Sequence, residues 1–207
     1  EENPTGNPIG GGLGYGEIQT GDDHIATSYV ELDSAFQVAE PGEIVFVPAD
    51  ARIDMSGRPE LTIPGGVTLA SNRGSAGSDG GLIFSDALDT PGMIRTGGDS
   101  ARITGLRIRG PFDKRDRVDR TSNGIETTHF GFEIDNCEIW GFSVAATRFS
   151  TGASRGYVHH NFIHHNQRGG LGYGVSINGG SVLIEANLFD WCRHHIASSG
   201  APGSGYE

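Results

Sequence analysis

Apolar and polar residues alternate in short bursts along this chain. From Glu43 onward the bursts read EIVFVP, ARIDM, ELTIP, GVTLAS, GLIFSD and GMIRTGG, each closed by turn residues. Period-two alternation between Gly, Pro and Asn clusters predicts β-strands, here too short for an ordinary sandwich. After residue 100 the segments RITGLRIRGP, EIDNCEIWGF, YVHHNFIHHN and LIEANLFDWC align without gaps. Their first apolar anchors are Ile103, Ile134, Val158 and Ile184, and their second anchors are Ile108, Ile139, Ile163 and Phe189. Three residues after each first anchor stand Leu106, Cys137, Asn161 and Asn187. A further column, GIE, SVA, GVS and HIA, centres on Ile125, Val144, Val175 and Ile196.

The first anchors lie 31, 24 and 26 residues apart. A repeat of that length with β-branched residues in fixed columns predicts a solenoid, because one coil cannot bury its own apolar face. Seven or eight coils stacked at about 4.8 Å would span roughly 35–40 Å. Asn161 and Asn187 would then form an amide ladder at a shared corner where left-handed backbone is tolerated. Cys137 and Leu106 continue that column as buried apolar residues. Cys192 belongs to a different column, so no disulfide with Cys137 is expected, and no CxxC or CxxH metal spacing is present.

Only one stretch predicts a helix. Thr27 or Ser28 can cap it, Val30, Leu32, Phe36 and Val38–Ala39 give partial periodicity, and Pro41-Gly42 ends it. Residues 1–26 read as an extended Gly- and Pro-rich lead-in, and residues 27–207 as one β-domain. The run GLGYG occurs twice, at 12–16 and 170–174, but neither copy lies between a strand and a helix, so it does not read as a phosphate cradle.

The composition narrows the partners. The chain has 207 residues, 34 of them glycine, and a net charge of −11, enough length for one domain. Lys114 is the sole lysine among 15 basic residues. An acidic surface repels phosphates and argues against nucleic acid, and a lysine-poor acidic surface fits solubility in high salt. No apolar run approaches the roughly 20 residues of a membrane span. Basic charge is concentrated at 102–120, where seven basic residues face three acids.

The stretch from Pro41 to Ser85, the RITGLRIRGP coil and the IxxNxI pattern resemble right-handed parallel β-helix proteins of the pectate-lyase-like superfamily. The resemblance covers about residues 27–200. It implies an all-β fold: a single right-handed parallel β-helix with a short N-terminal capping helix. It also implies an extracellular or cell-surface location and a polysaccharide partner. The NTD, DD, GHG and RIK motifs of polygalacturonase-type hydrolases are not in this sequence. In such proteins substrate lies along the outer face of one sheet, here the column through Ile125, Val144, Val175 and Ile196.

Elimination on a uronate polymer needs a group that neutralises the carboxylate, a base and a proton donor. The loops entering that sheet supply them. Arg168, Arg193 and Arg120, with Glu126 on the sheet itself, are the expected substrate-binding residues. His195, His194 and His165 are the candidate bases, and Tyr173 the proton donor. The doublets His159-His160 and His164-His165 invite a metal reading. Strand alternation, however, turns the two rings of each doublet different ways, and no carboxylate lies nearby in sequence, so no metal ligands are assigned. Among acid clusters that could hold Ca²⁺ are Asp22-Asp23, Asp86/Asp89 and Asp113/Asp116/Asp119, the last reading better as self-paired charge. Glu126 is the single acid on the sheet, which disfavours a two-carboxylate hydrolase. The last coil looks open, so further coils or stacking on a partner are expected beyond it. The sequence therefore supports a lyase-like enzyme acting on an acidic glycan or, in the alternative, a non-catalytic carbohydrate-binding or cell-surface structural protein.

Overall fold

The computed structural model describes residue 3, residues 5–112 and residues 120–207. Lys114, Arg115, Arg117 and the Asp113/Asp116/Asp119 cluster lie outside the described residues.

Short strands form three sheets in which all strand pairing is parallel. The first sheet has eight strands and the other two have six each. Hydrogen-bonded neighbours in the stack are three strands apart in the chain from Ile44 to Ser198, so the backbone visits the first, second and third sheet in rotation. This arrangement is compatible with a parallel β-helix solenoid. One pass through the three sheets makes a tier. The first tier holds Ile44–Phe46, Arg52–Asp54 and Leu61–Ile63, and the sixth holds Ser181–Glu185, Leu188–Asp190 and His194–Ser198. Among the described residues there are thus six tiers with a strand in every sheet, against the seven or eight coils expected. The two extra strands of the first sheet, His24–Ile25 and Gly205–Tyr206, are two residues each.

The apolar columns stack as the repeat requires. Val45, Leu69, Ile103, Ile134, Val158 and Ile184 are successive partners in the first sheet. Ile53, Ile83, Ile108, Ile139, Ile163 and Phe189 do the same in the second. Ile103, Ile108, Ile134, Ile139, Val158 and Ile163 are fully buried. Each such side chain contributes about 1.5–3 kcal/mol by leaving water.

In the third sheet the column is Leu61, Ile94, Ile125, Thr147, Val175 and Ile196. The expected centre at Val144 is therefore wrong by three residues. The strand is Ala145–Ser150, and Thr147 takes the inward place by donating its hydroxyl to the Gly174 carbonyl at 3.4 Å. That shift turns Arg148 outward.

The tight corners follow a five-residue unit used twice per tier, as in EIDNC-EIWGF and YVHHN-FIHHN. Its fourth position is left-handed at Gly105, Asn136, His160 and Ala186, and again at Gly141, His165 and Trp191. The left-handed residue thus precedes the ladder position. Asn161 Oδ1 accepts from Cys137 N–H at 2.9 Å, and Asn187 Oδ1 accepts from Asn161 N–H at 2.9 Å. Asn161 Nδ2 donates to the Ile134 carbonyl and Asn187 Nδ2 to the Val158 carbonyl. A second, unforeseen column runs through Phe142, Asn166 and Cys192, where Asn166 Oδ1 accepts from Phe142 N–H at 2.8 Å. Both cysteines are free.

The helix Tyr29–Val38 is capped by Ser28, whose side chain accepts from Glu31 N–H, while Glu31 reaches back to Thr27. It buries Leu32, Ala35 and Phe36 on the core, whereas Val30 and Val38 face solvent. The lead-in is not free-standing. Gly10 N–H donates to the Ala186 carbonyl, Gly12 N–H to Asn136 Oδ1, and Tyr15 hydroxyl to Asp135 Oδ2. It forms a strap across the tiers along the corner between the first and second sheets.

Candidate functional site

The outward column of the third sheet runs Thr62, Arg95, Glu126, Arg148, Ser176 and Ala197, one residue per tier. Charges of opposite sign alternate at its centre because the inward neighbours Ile94, Ile125, Thr147 and Val175 hold the strands in register. Glu126 Oε1 accepts from Ser150 Oγ at 2.8 Å and lies 3.8 Å from Arg148 Nε. One tier toward the N-terminus, Arg95 Nε is 3.5 Å from Glu60 Oε2. Glu60, Thr62, Arg95, Glu126, Thr128 and His129 line a cleft of about 600 Å³.

Glu60 therefore joins Glu126 in one cleft. Burial pushes the Glu60 carboxyl above the usual range, Arg95 draws it partly back, and Glu126 pushes it up further. The ring of His129 is fixed by Thr96, whose hydroxyl is 2.8 Å from Nδ1 and 2.9 Å from the hydroxyl of Thr127. Only His129 Nε2 is then left for proton transfer.

The other expected residues do not all meet Glu126. Tyr173 and His194 are partners in neighbouring strands with rings stacked at 5.8 Å, and the Tyr173 hydroxyl is held by the Gly170 carbonyl. His195 is exposed against Phe189. Arg193 lies in a separate hollow with Gln167, Trp191 and Cys192. Tier counting puts Glu126 in the third tier and His194 in the sixth, roughly 14 Å up the stack at ordinary strand spacing and three residues back along the strand from the Glu126 column. Arg120 pairs with Asp89 at 2.9 Å, and Arg168 donates to the Arg120 carbonyl. His165 sits at the corner leaving the second sheet, stacked on Trp191.

The histidine doublets differ from expectation. They occupy two corners of one tier, and within each doublet the rings converge: Nδ1 to Nδ1 is 2.8 Å in His159-His160 and 2.8 Å in His164-His165. Their carboxylates come from the preceding tier, with Glu133 at 3.1 Å from His159 Nε2 and Glu138 at 3.1 Å from His164 Nε2. The left-handed second residue of each doublet swings its ring toward the first, which strand alternation alone does not foresee.

Glu60, Arg95, Arg148 and His129 were not singled out by the sequence pattern. Glu60 precedes the strand Leu61–Ile63 and His129 follows the strand Asn123–Thr127, so neither falls in an alternating column. Compared with known proteins, the chain matches no family model, no curated protein sequence and no solved structure.

Proposed function

We propose that the three sheets close as a right-handed parallel β-helix of the pectate-lyase-like kind, and that the protein is an extracellular or cell-surface enzyme cleaving an acidic glycan by elimination. Parallel crossover connections are right-handed in roughly 98% of cases, which supports the hand. The observation that carries the function is the row Arg95, Glu126, Arg148 across successive tiers beside a cleft holding Glu60 and His129. A linear polymer laid across parallel strands meets one outward residue per tier.

In this reading Arg95 and Arg148 face the carboxylate of a uronate unit and stabilise the charge that develops there. His129 Nε2 removes the proton from the carbon beside that carboxylate. The electron pair forms the new carbon–carbon double bond, and the glycosidic oxygen leaves from the adjacent carbon. Glu60, whose carboxyl burial raises, is the group assigned to donate a proton to that oxygen. A second reading rests on the pairing of Glu60 with Glu126 in one cleft, which also suits an acid–base pair for hydrolysis.

Incubation with a panel of uronate polymers tests both. Elimination gives an ultraviolet-absorbing unsaturated end, and His129→Ala and Glu60→Gln abolish it while Arg95→Ala weakens binding. New reducing ends without that absorbance favour hydrolysis. Binding without cleavage makes the protein a glycan-binding surface protein. Neither binding nor cleavage removes the reading.

A further inference from the structure

The charged groups on the outer row of the third sheet are loosely held. Elsewhere on the surface Arg109 meets Asp86 at 2.8 Å and Arg120 meets Asp89 at 2.9 Å. On the row, Arg148 Nε stands 3.8 Å from Glu126 Oε1, beyond hydrogen-bond reach, and the Arg148 guanidinium makes no hydrogen bond among the described residues. Arg95 donates from Nε to Thr62 Oγ1 at 3.2 Å, lies 3.5 Å from Glu60, and has a side chain 60% exposed. Glu126 gives Oε1 to Ser150, while its Oε2 accepts no hydrogen bond among the described residues. Long pairs between partly exposed charges add little to the fold. These donors and this acceptor are therefore available to a ligand.

Their order along the row sets a spacing. Arg95, Glu126 and Arg148 are register partners in three consecutive tiers. The two arginines are thus two tiers apart, about 9–10 Å at ordinary strand spacing, with one carboxylate midway. Beyond Arg148 the row turns neutral, with Ser176 and then Ala197, and these three residues line a second hollow of about 220 Å³. Before Arg95 it is neutral again at Thr62. A sugar unit in an extended chain advances by about as much as one tier, roughly 4.8 Å. A chain lying along the row therefore sets successive units against Arg95, Glu126 and Arg148.

We propose that the glycan is an alternating copolymer, one uronate followed by one neutral sugar, and not a run of uronates. The assignment rests on the acidic-glycan reading of this same cleft and fixes its substrate class. Arg95 and Arg148 each take the carboxylate of one uronate, two units apart. The neutral unit between them lies on Glu126 and donates a hydroxyl or amide N–H to Oε2. A homopolyuronate has a further carboxylate at that place. Turned inward it meets Glu126 as a like charge, which rejects the wrong partner, and turned outward it leaves Oε2 without a donor.

Binding and cleavage by the full chain are measured with hyaluronan, unsulfated chondroitin and heparosan, which alternate, and with polygalacturonate and polymannuronate, which do not, at matched length and ionic strength. The expected result is that at least one alternating polymer binds about tenfold or more tightly than either homopolyuronate. Glu126→Gln keeps an acceptor for Ser150 but removes the charge, and it narrows that ratio to about threefold or less by strengthening the homopolyuronates. A homopolyuronate bound as tightly as every alternating polymer overturns the alternation and leaves uronate cleavage standing. A ratio unchanged in Glu126→Gln also overturns it. Binding of none of the five polymers overturns both the alternation and the acidic-glycan reading.

Discussion

The carboxylate of Asp135 grips the guanidinium of Arg102 through two hydrogen bonds, Nε to Oδ1 at 2.8 Å and Nη2 to Oδ2 at 2.9 Å. Asp135 is fully buried, and its Oδ2 also accepts from Thr104 and Tyr15. Removing one partner leaves a largely buried charge uncompensated. Asp135→Asn is expected to destabilise the fold by about 3–5 kcal/mol in urea titration. Tyr15→Phe removes one hydrogen bond and costs about 1–3 kcal/mol. Equal costs for the two variants would show that the ion pair is not the dominant contact.

Asn161 is the centre of the amide ladder. Asn161→Leu orphans Cys137 N–H and the Ile134 carbonyl, each costing about 1–3 kcal/mol when left buried without a partner. Thermal melting measures the loss. Asn187→Leu, half-buried one tier later, is expected to cost less.

The two thiols should differ in reactivity. Burial raises the Cys137 thiol to about 12, and raises that of the half-buried Cys192 as well. Thiolate is the reacting species, so an alkylating agent at neutral pH should label Cys192 slowly and Cys137 only after unfolding. Mass spectrometry of the labelled peptides distinguishes them, and early labelling of Cys137 would contradict a sealed column.

Glu60 links the cleft to pH. Its carboxyl is raised above the ordinary value of 4.5, mainly by burial. A raised acid gives stability that is full below its unfolded value and is lost as pH rises through the higher folded value. Glu60→Gln abolishes that loss. The variant is expected to melt at a higher temperature than the wild type at pH above the folded value, and with a smaller difference at acid pH. Parallel melting curves across the pH range would remove the shift.

Much of the fold was legible because Ile103, Ile134, Val158 and Ile184 occupy positions that only stacking can bury. The third sheet was legible where Ile125, Val175 and Ile196 mark it and misread at Val144. There the inward residue is Thr147, a β-branched residue whose hydroxyl finds a carbonyl, so hydropathy pointed to the wrong triplet. The candidate site was legible only at Glu126. Glu60 and Arg95 come from earlier tiers and meet it through pairing between segments far apart in the chain. The facing rings of His159 and His160 depend on one left-handed residue, which an alternation pattern does not show.

The strap has a bearing on how the molecule assembles. Stacked repeats ordinarily touch only their neighbours and can ravel from either end. Here Gly12 is bonded to a side chain 124 positions later, and Gly10 reaches the backbone at Ala186 in the final tier. Those bonds cannot form until the distant tiers are in place, so the strap fastens after them, like a clasp closed over a finished stack. Loosening of the tier that holds Ala186 is thereby felt in the strap, which ties tiers that would otherwise touch only their neighbours.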